Sequence, residues 1–163
     1  MSATVRRLGA HEAELLRDVR LRALRDAPMA FGSTLAREER YEPAKWERWA
    51  AESAGGERQA IFIAEPAAGM ANGVIDDEDP ASAHLYAMWV APDARGSGAG
   101  KALLEGVVAW ATERGAERLI TSVTEGNAAA AALYDGAGFR DTGRREPLGH
   151  SDAVVAVLER RLP

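Results

Sequence analysis

Cysteine is absent from all 163 residues, which excludes a disulfide framework, a thiolate nucleophile and cysteine-ligated zinc together. Histidine is scarce: His11, His84 and His150 form no H-x-x-x-H pair, so the sequence predicts no metal site. Among the 20 basic residues only Lys45 and Lys101 are lysines, a bias that, with the many alanines, fits a GC-rich coding sequence. Long apolar runs are missing, and none approaches the ~20 residues of a membrane span. The opening stretch MSATVRRLGAHEAE turns acidic before any apolar segment forms, so no signal peptide is expected. Net charge is −5 and the isoelectric point about 5.3, which leaves no basic footprint for nucleic acid. The expectation is a soluble, cytoplasmic chain that binds neither nucleic acid nor membrane.

What is present is the material for one core. A chain of this length buries roughly 70% of its unfolded surface without staples, and there is no fixed-period repeat or long linker to divide it. Residues 1–163 are therefore read as a single domain. Thr4 to Leu8 suits a short strand. From His11 to about Arg25, Leu15, Leu16, Val19, Ala23 and Leu24 recur at helical spacing until Pro28 and Gly32 intervene. Leu35 to Ala54 reads as a second helix with Pro43 at a start position. Three strands follow: Gln59 to Glu65, Met70 to Ile75 after a Pro66–Gly69 turn, and His84 to Val90. Beyond a glycine-rich turn, Leu103, Leu104, Val107, Val108 and Ala111 mark an amphipathic helix ending near Gly115. Then come a strand at Leu119–Val123, a short helix at Ala128–Asp135, a strand opening at Gly138-Phe139, and a last strand, Val154–Leu162, expected to close the sheet. The order β-α-α-β-β-β-α-β-α-β-β predicts a mixed α/β (α+β) domain with helices on the faces of one sheet.

The sharpest local signal is Val90-Ala91-Pro92-Asp93-Ala94-Arg95-Gly96-Ser97-Gly98-Ala99-Gly100-Lys101, between a strand and a helix. Glycines there let the backbone approach a ligand and present N–H groups at a helix N-terminus, an arrangement suited to phosphate or pyrophosphate. It is not a P-loop, because aligning Gly100-Lys101 puts Arg95 at the first glycine and Ala102 at the magnesium-binding hydroxyl. Nor is it a dinucleotide fingerprint, which would place Lys101 at the third glycine.

The remaining pattern, [Q/R]-x-x-G-x-[G/A] at Arg95, Gly98 and Gly100, resembles that of the GNAT superfamily of acyl-CoA-dependent N-acyltransferases. A second stretch, Asn127-x-x-Ala130-x-x-Leu133-Tyr134-x-x-x-Gly138-Phe139, resembles the same family's later motif and begins 27 residues after Gly100. The resemblance spans roughly Gln59 to Leu148. It implies a central, mostly antiparallel, twisted sheet of about seven strands with splayed central strands. It also implies transfer of an acetyl group from acetyl-CoA, as cosubstrate, to a primary amine of a small molecule or peptide. A catalytically weak acyl-CoA-binding or sensor module is the competing reading.

By that resemblance Trp89 and Val90 supply backbone groups to the pantetheine, and Arg95, Gly96, Ser97, Gly98, Ala99, Gly100 and Lys101 hold the pyrophosphate. Asn127 contacts the cofactor at a helix start, and Tyr134 directs its hydroxyl at the coenzyme sulfur as general acid. Where some members carry a glutamate base, this sequence has His84. Strand alternation puts His84 on one face with Tyr86, Met88 and Val90, and its pKa near 6.5 suits a base acting directly or through water; a water chain alone is the other option. Phe31, Ser33, Glu38, Glu39, Trp46 and Trp49 are candidates for lining the acceptor groove, the tryptophans equally as core anchors. The run Asp76–Asp79 suits either a cationic acceptor or a solvated turn. A homodimer is compatible with the family pattern, with Val155, Val157 and Leu158 offering a C-terminal edge strand.

Overall fold

The structure is a computed structural model that describes residues 3–163. Its strands are β1 (Val5–Arg7), β2 (Gln59–Ala64), β3 (Gly69–Ile75), β4 (Ser82–Val90), β5 (Arg118–Thr124), β6 (Arg140–Pro147) and β7 (Val154–Arg161). Its helices are α1 (Ala13–Asp26), α2 (Leu35–Glu38), α3 (Pro43–Gly55), α4 (Ala99–Glu113) and α5 (Ala128–Gly136). The strands form one sheet in the order β1-β2-β3-β4-β5-β7-β6, antiparallel throughout except for the parallel pair β4–β5. The mixed sheet is the one the order of elements predicts, and its seven strands and mostly antiparallel pairing are those the family resemblance implies.

Alternation along β2 explains how both faces are covered. Ile61 and Ile63 point to one side, where Leu16, Val19 and Leu24 of α1 and Trp46 of α3 bury them with Met70 and Trp89. Phe62 points to the other side, against Leu103, Leu104 and Val107 of α4 with Leu85 and Leu119. Each such leucine, fully withdrawn from water, contributes about 1.5–3 kcal/mol. The helix α4 lies close to the sheet because β3 offers no side chain at Gly73: a Cβ there would stand 2.8 Å from the Trp110 ring. That indole is anchored in turn by donating to the Gly56 carbonyl at 2.7 Å.

Two expectations need correction. The second helix is not continuous over 35–54 but divides into α2 and α3. Pro43 disfavours helical geometry in the residue before it, and Glu42 is extended at φ −63°, ψ 149°. The C-terminal strand is not an edge either. Strand β7 lies between β5 and β6, and Val155, Val157 and Leu158 are buried. An apolar strand takes an interior position, while the fully exposed, charge-rich β6 takes the edge, where exposed charge discourages further pairing.

The centre of the sheet opens at one end. Strands β4 and β5 pair only through Ser82–Arg118, Ala83–Leu119 and His84–Ile120, after which they diverge. The Thr121 hydroxyl donates to the Leu85 carbonyl at 3.1 Å at the point where pairing stops. On its other side β4 carries a bulge: Met70 faces Trp89 and Asn72 faces Tyr86, so Ala87 and Met88 share one residue of β3. Ala87 takes a left-handed φ of 55° there. The extra residue reverses the alternation, and the face expected to hold His84 with Met88 and Val90 is broken. Cross-strand partners put His84, Tyr86 and Trp89 on the α1 side, while Met88 and Val90 pack on the α4 side.

Candidate functional site

The divergence of β4 and β5 produces two adjoining cavities. The first, about 570 Å³, lies between the end of β4, the glycine turn and the start of α5. Trp89, Val90, Arg95, Gly96, Gly98, Gly100, Lys101, Asn127 and Tyr134 line it. Ser97 and Ala99, also expected there, face a different depression beside Ala67. Within the turn, Gly96 and Gly98 have φ of 83° and 89°, conformations that a Cβ would strain. Gly98 forms the N-cap of α4 without any side-chain cap, and the first helical N–H accepted within the helix is that of Ala102, by the Gly98 carbonyl at 3.0 Å. The preceding N–H groups of Gly100 and Lys101 are thus the free donors of a helix N-terminus, where the dipole favours an anion.

Backbone directions along β4 follow from its pairing with β3. Ala91 N–H donates to the Ala68 carbonyl, and the Trp89 carbonyl faces Gly69 closely enough that a Cβ there would stand 2.5 Å away. Alternation then spends the Trp89 backbone on β3 and turns that of Met88 and Val90 into the gap. Trp89, expected to offer backbone groups here, borders the same cavity together with Met88 and Val90. The Val90 carbonyl accepts from Arg95 Nε at 3.1 Å.

The second cavity, about 510 Å³, opens on the α1 side of the sheet. Phe31, Ser33 and Trp49 line it, as do Arg20, Asn72, Tyr86 and Glu146. Of the other candidates, Trp46 is a buried core anchor stacked on Trp49, and Glu39 is exposed. Glu38 is only 2% exposed and holds Arg20 through both carboxylate oxygens, each at 2.9 Å, which ties α2 to α1.

Tyr134 lines both cavities, together with Ala30, Phe31 and Met88. The L-Y spacing on α5 turns it inward, where it is 4% exposed and packs edge-on against Phe139 at 5.4 Å. Burial pushes its hydroxyl up to about 12, against the opposing effect of the Thr121 hydroxyl beside it. Asn127 caps α5 by accepting from Ala130 N–H at 3.2 Å while still lining the first cavity.

His84 lines neither cavity. Its Nε2 sits 2.9 Å from Asp76 Oδ2, and its ring stacks on Tyr86, with centroids 5.6 Å apart. The acidic run is a structured turn: Asp76 Oδ1 accepts from Glu78 and Asp79 N–H, and Asp79 accepts from Ser82 and Arg118.

Asp26 lines the first cavity and was not singled out from sequence. It ends α1, where the helix dipole disfavours a carboxylate, and that anomaly is the signal that could have found it. Asn72 was also missed; asparagine is depleted in strands, so one in β3 asks for a reason. Among the described residues no group of three or more histidines, aspartates or glutamates could hold a metal ion, and no helix is long and apolar enough to cross a membrane.

Known proteins resemble this chain in sequence and in fold. The chain is 40% identical over 63 residues to a peptidyl-lysine N-acetyltransferase, YjaB, of Escherichia coli, covering 39% of this chain and 40% of that protein. It is 36% identical over 81 residues to the E. coli ribosomal protein bS18-alanine N-acetyltransferase, covering 47% of this chain and 55% of that one. The matches thus span about half the length of these curated relatives or less. The Salmonella typhimurium protein yncA, solved with its cofactor acetyl-CoA, superposes with a TM-score of 0.81 over 100% of this chain and 95% of that one, at 16% identity. The family model described as acetyltransferase (GNAT) family matches residues 21–139. With 119 of 163 residues inside that match, this chain belongs to the GNAT acetyltransferase family.

Proposed function

We propose that this protein transfers the acetyl group of acetyl-CoA directly to a primary amine of a small molecule or peptide. The observation that carries the reading is Tyr134: one buried tyrosine borders both a cavity with a glycine-rich helix N-terminus and a second, adjoining cavity. The first suits the coenzyme, its pyrophosphate on the N–H groups of Gly100 and Lys101, beside Asn127 and below Arg95. The second suits the acceptor.

The chemistry asks for a neutral amine, a stabilised oxyanion and a stabilised leaving sulfur. A free alkylamine has a pKa near 10, so its proton must leave before attack. His84 lies outside both cavities, which favours water, in contact with solvent through the acceptor cavity, as the proton's destination. The amine nitrogen then attacks the thioester carbonyl, and a backbone N–H of Met88 or Val90 facing the gap between β4 and β5 meets the developing oxyanion. Collapse forms the amide and breaks the C–S bond, the second amine proton passing to the same water as the sulfur leaves as thiolate. Tyr134, with its pKa raised to about 12, stays protonated at every working pH. A thiol ionises near pH 8.5, so the phenol stabilises the departing thiolate by donating a hydrogen bond rather than surrendering its proton outright. Zero cysteines agree with direct transfer without a thiol acyl-enzyme.

Thermal unfolding with acetyl-CoA, using ATP and NAD as controls, tests the coenzyme site. At about 100 times its dissociation constant a ligand stabilises by roughly 2.7 kcal/mol, a shift of several degrees. A shift with acetyl-CoA alone, followed by amine-dependent thiol release, is the expected result. No shift at saturating coenzyme would refute the reading.

A further inference from the structure

Five buried side-chain polar atoms among the described residues have no hydrogen-bond partner, and three of them, Arg20 Nη1, Asn72 Oδ1 and Ser33 Oγ, belong to residues lining the second cavity. Buried polar groups are normally paired, so three unpaired ones on residues around a single cavity ask for a partner. Arg20 is 8% exposed and Asn72 5%. Each is fixed by its other atoms. Glu38 takes Nε and Nη2 of Arg20, and the Phe31 ring covers the guanidinium face at 5.0 Å, which leaves the Nη1 edge. Gln59 donates through Nε2 to Glu52, so its Oε1 is what meets Asn72 Nδ2 at 3.5 Å, and Asn72 Oδ1 is the free end.

Two residues lining the cavity thus keep one unpaired donor, Arg20 Nη1, and one unpaired acceptor, Asn72 Oδ1. The charge of Arg20 is already offset by Glu38, and a carboxylate entering here would also meet the Asn72 oxygen lone pairs. An amide carries the complementary pair, a carbonyl for Arg20 and an N–H for Asn72. We propose that Arg20 Nη1 and Asn72 Oδ1 form an amide-recognition subsite, so that the preferred acceptor is a primary amine bearing an amide group, as the first residue of a peptide does. This rests on the reading of the second cavity as the acceptor site. A site built around buried hydrogen-bonding groups discriminates strongly against analogues that leave them unpaired.

The test compares L-alanine N-methylamide, L-alanine and isopropylamine. Binding is measured by calorimetry with free coenzyme A present, which permits no transfer, and turnover is measured with acetyl-CoA. The amine pKa values differ by about two units, so turnover is compared as the ratio of kcat/KM values between variant and wild type, in which the neutral fraction cancels. The expected result is tighter binding of the amide than of the other two. Asn72→Leu and, independently, Arg20→Lys, which retains a cation for Glu38, should each lower kcat/KM for the amide about tenfold relative to that for isopropylamine, the loss of one buried hydrogen bond. Preference for alanine, absence of any preference, or an equal fall for both amines in the two variants overturns the proposal. Amide-selective binding without transfer would leave the subsite standing and sink the acetyltransferase reading; transfer to all amines alike would do the reverse.

Discussion

Asp26 holds Arg95: the carboxylate that ends α1 accepts from the arginine guanidinium at 2.6 Å, and the same Oδ2 accepts from the buried Trp89 indole at 2.9 Å. These hydrogen bonds, the indole first, keep the carboxyl below its usual range against the opposing effect of desolvation. The contact joins the end of the first helix to the glycine turn, 69 residues later, and both residues line the first cavity.

Asp26→Ala should destabilise the fold by about 1–3 kcal/mol, because it leaves the Trp89 N–H buried without an acceptor. Asp26→Asn keeps an acceptor but removes a negative charge from the cavity wall. Acetyl-CoA should then bind about threefold or more tightly at low salt, the gain shrinking as salt screens it. Calorimetric unfolding checks the first variant and titrations at two ionic strengths the second; weaker binding of coenzyme to Asp26→Asn would show that holding Arg95 matters more than the charge.

Tyr134→Phe removes the hydroxyl, with its contact to Thr121, from a ring that lines both cavities. Steady-state kcat is expected to fall about 10²-fold or more, with coenzyme affinity retained. The alkaline side of the pH profile should be the same for both forms below about pH 11, since a hydroxyl with its pKa raised to about 12 does not titrate there.

His84→Gln is expected to lower kcat by less than Tyr134→Phe lowers it, and to leave the acidic limb of the profile in place. That limb then reports the amine rather than the imidazole, whose Nε2 lies against Asp76 instead of either cavity. An acidic limb that vanishes in the variant would restore His84 as the base.

Gly98→Val places a β-branched side chain at φ 89° on the rim of the coenzyme cavity. The stabilisation by acetyl-CoA expected in thermal unfolding should disappear, through occlusion of the proposed pyrophosphate cradle and strain in the turn. Unchanged coenzyme affinity would remove the glycine turn from the site.

Acid sensitivity has an identifiable contributor. Glu12, at the start of α1, accepts from both Arg6 Nη groups at 2.7 and 2.8 Å and from Gly9 N–H at 2.8 Å, and the Arg6 bonds foremost hold its carboxyl down to about 2. A carboxyl depressed by folding adds stability that is fully present above its unfolded value, 4.5, and fades as pH falls toward 2. Unfolding midpoints of wild type and Glu12→Gln should therefore differ at pH 6 and converge near pH 2; a gap independent of pH would assign the effect to packing.

Much of this protein was legible in its residues because the relevant signals are local. Hydrophobic spacing marks the faces of α1 and α4, proline and glycine mark the breaks, and the turn from Arg95 to Lys101 needs its glycines for backbone conformation and close approach alone. The same locality explains the readings that changed. Periodicity ran on across Leu35–Ala54, although Pro43, placed at a helix start from the sequence, opens α3 and separates it from α2. Alternation along β4 holds only while the pairing is regular, and the bulge at Ala87, set by the register against β3, moved His84 to the other face from Met88 and Val90. Which strand ends as an edge depends on every strand at once, and burial on both faces drew β7 inside β6. By itself the sequence determined the family, the order of strands and the glycine-rich turn before α4, all written in contiguous residues. Only the tertiary structure decided that Asp26 meets Arg95, that Tyr134 borders two cavities and that Arg20 and Asn72 keep free polar edges in the second of them, because those relations join residues far apart in the chain that packing alone brings together.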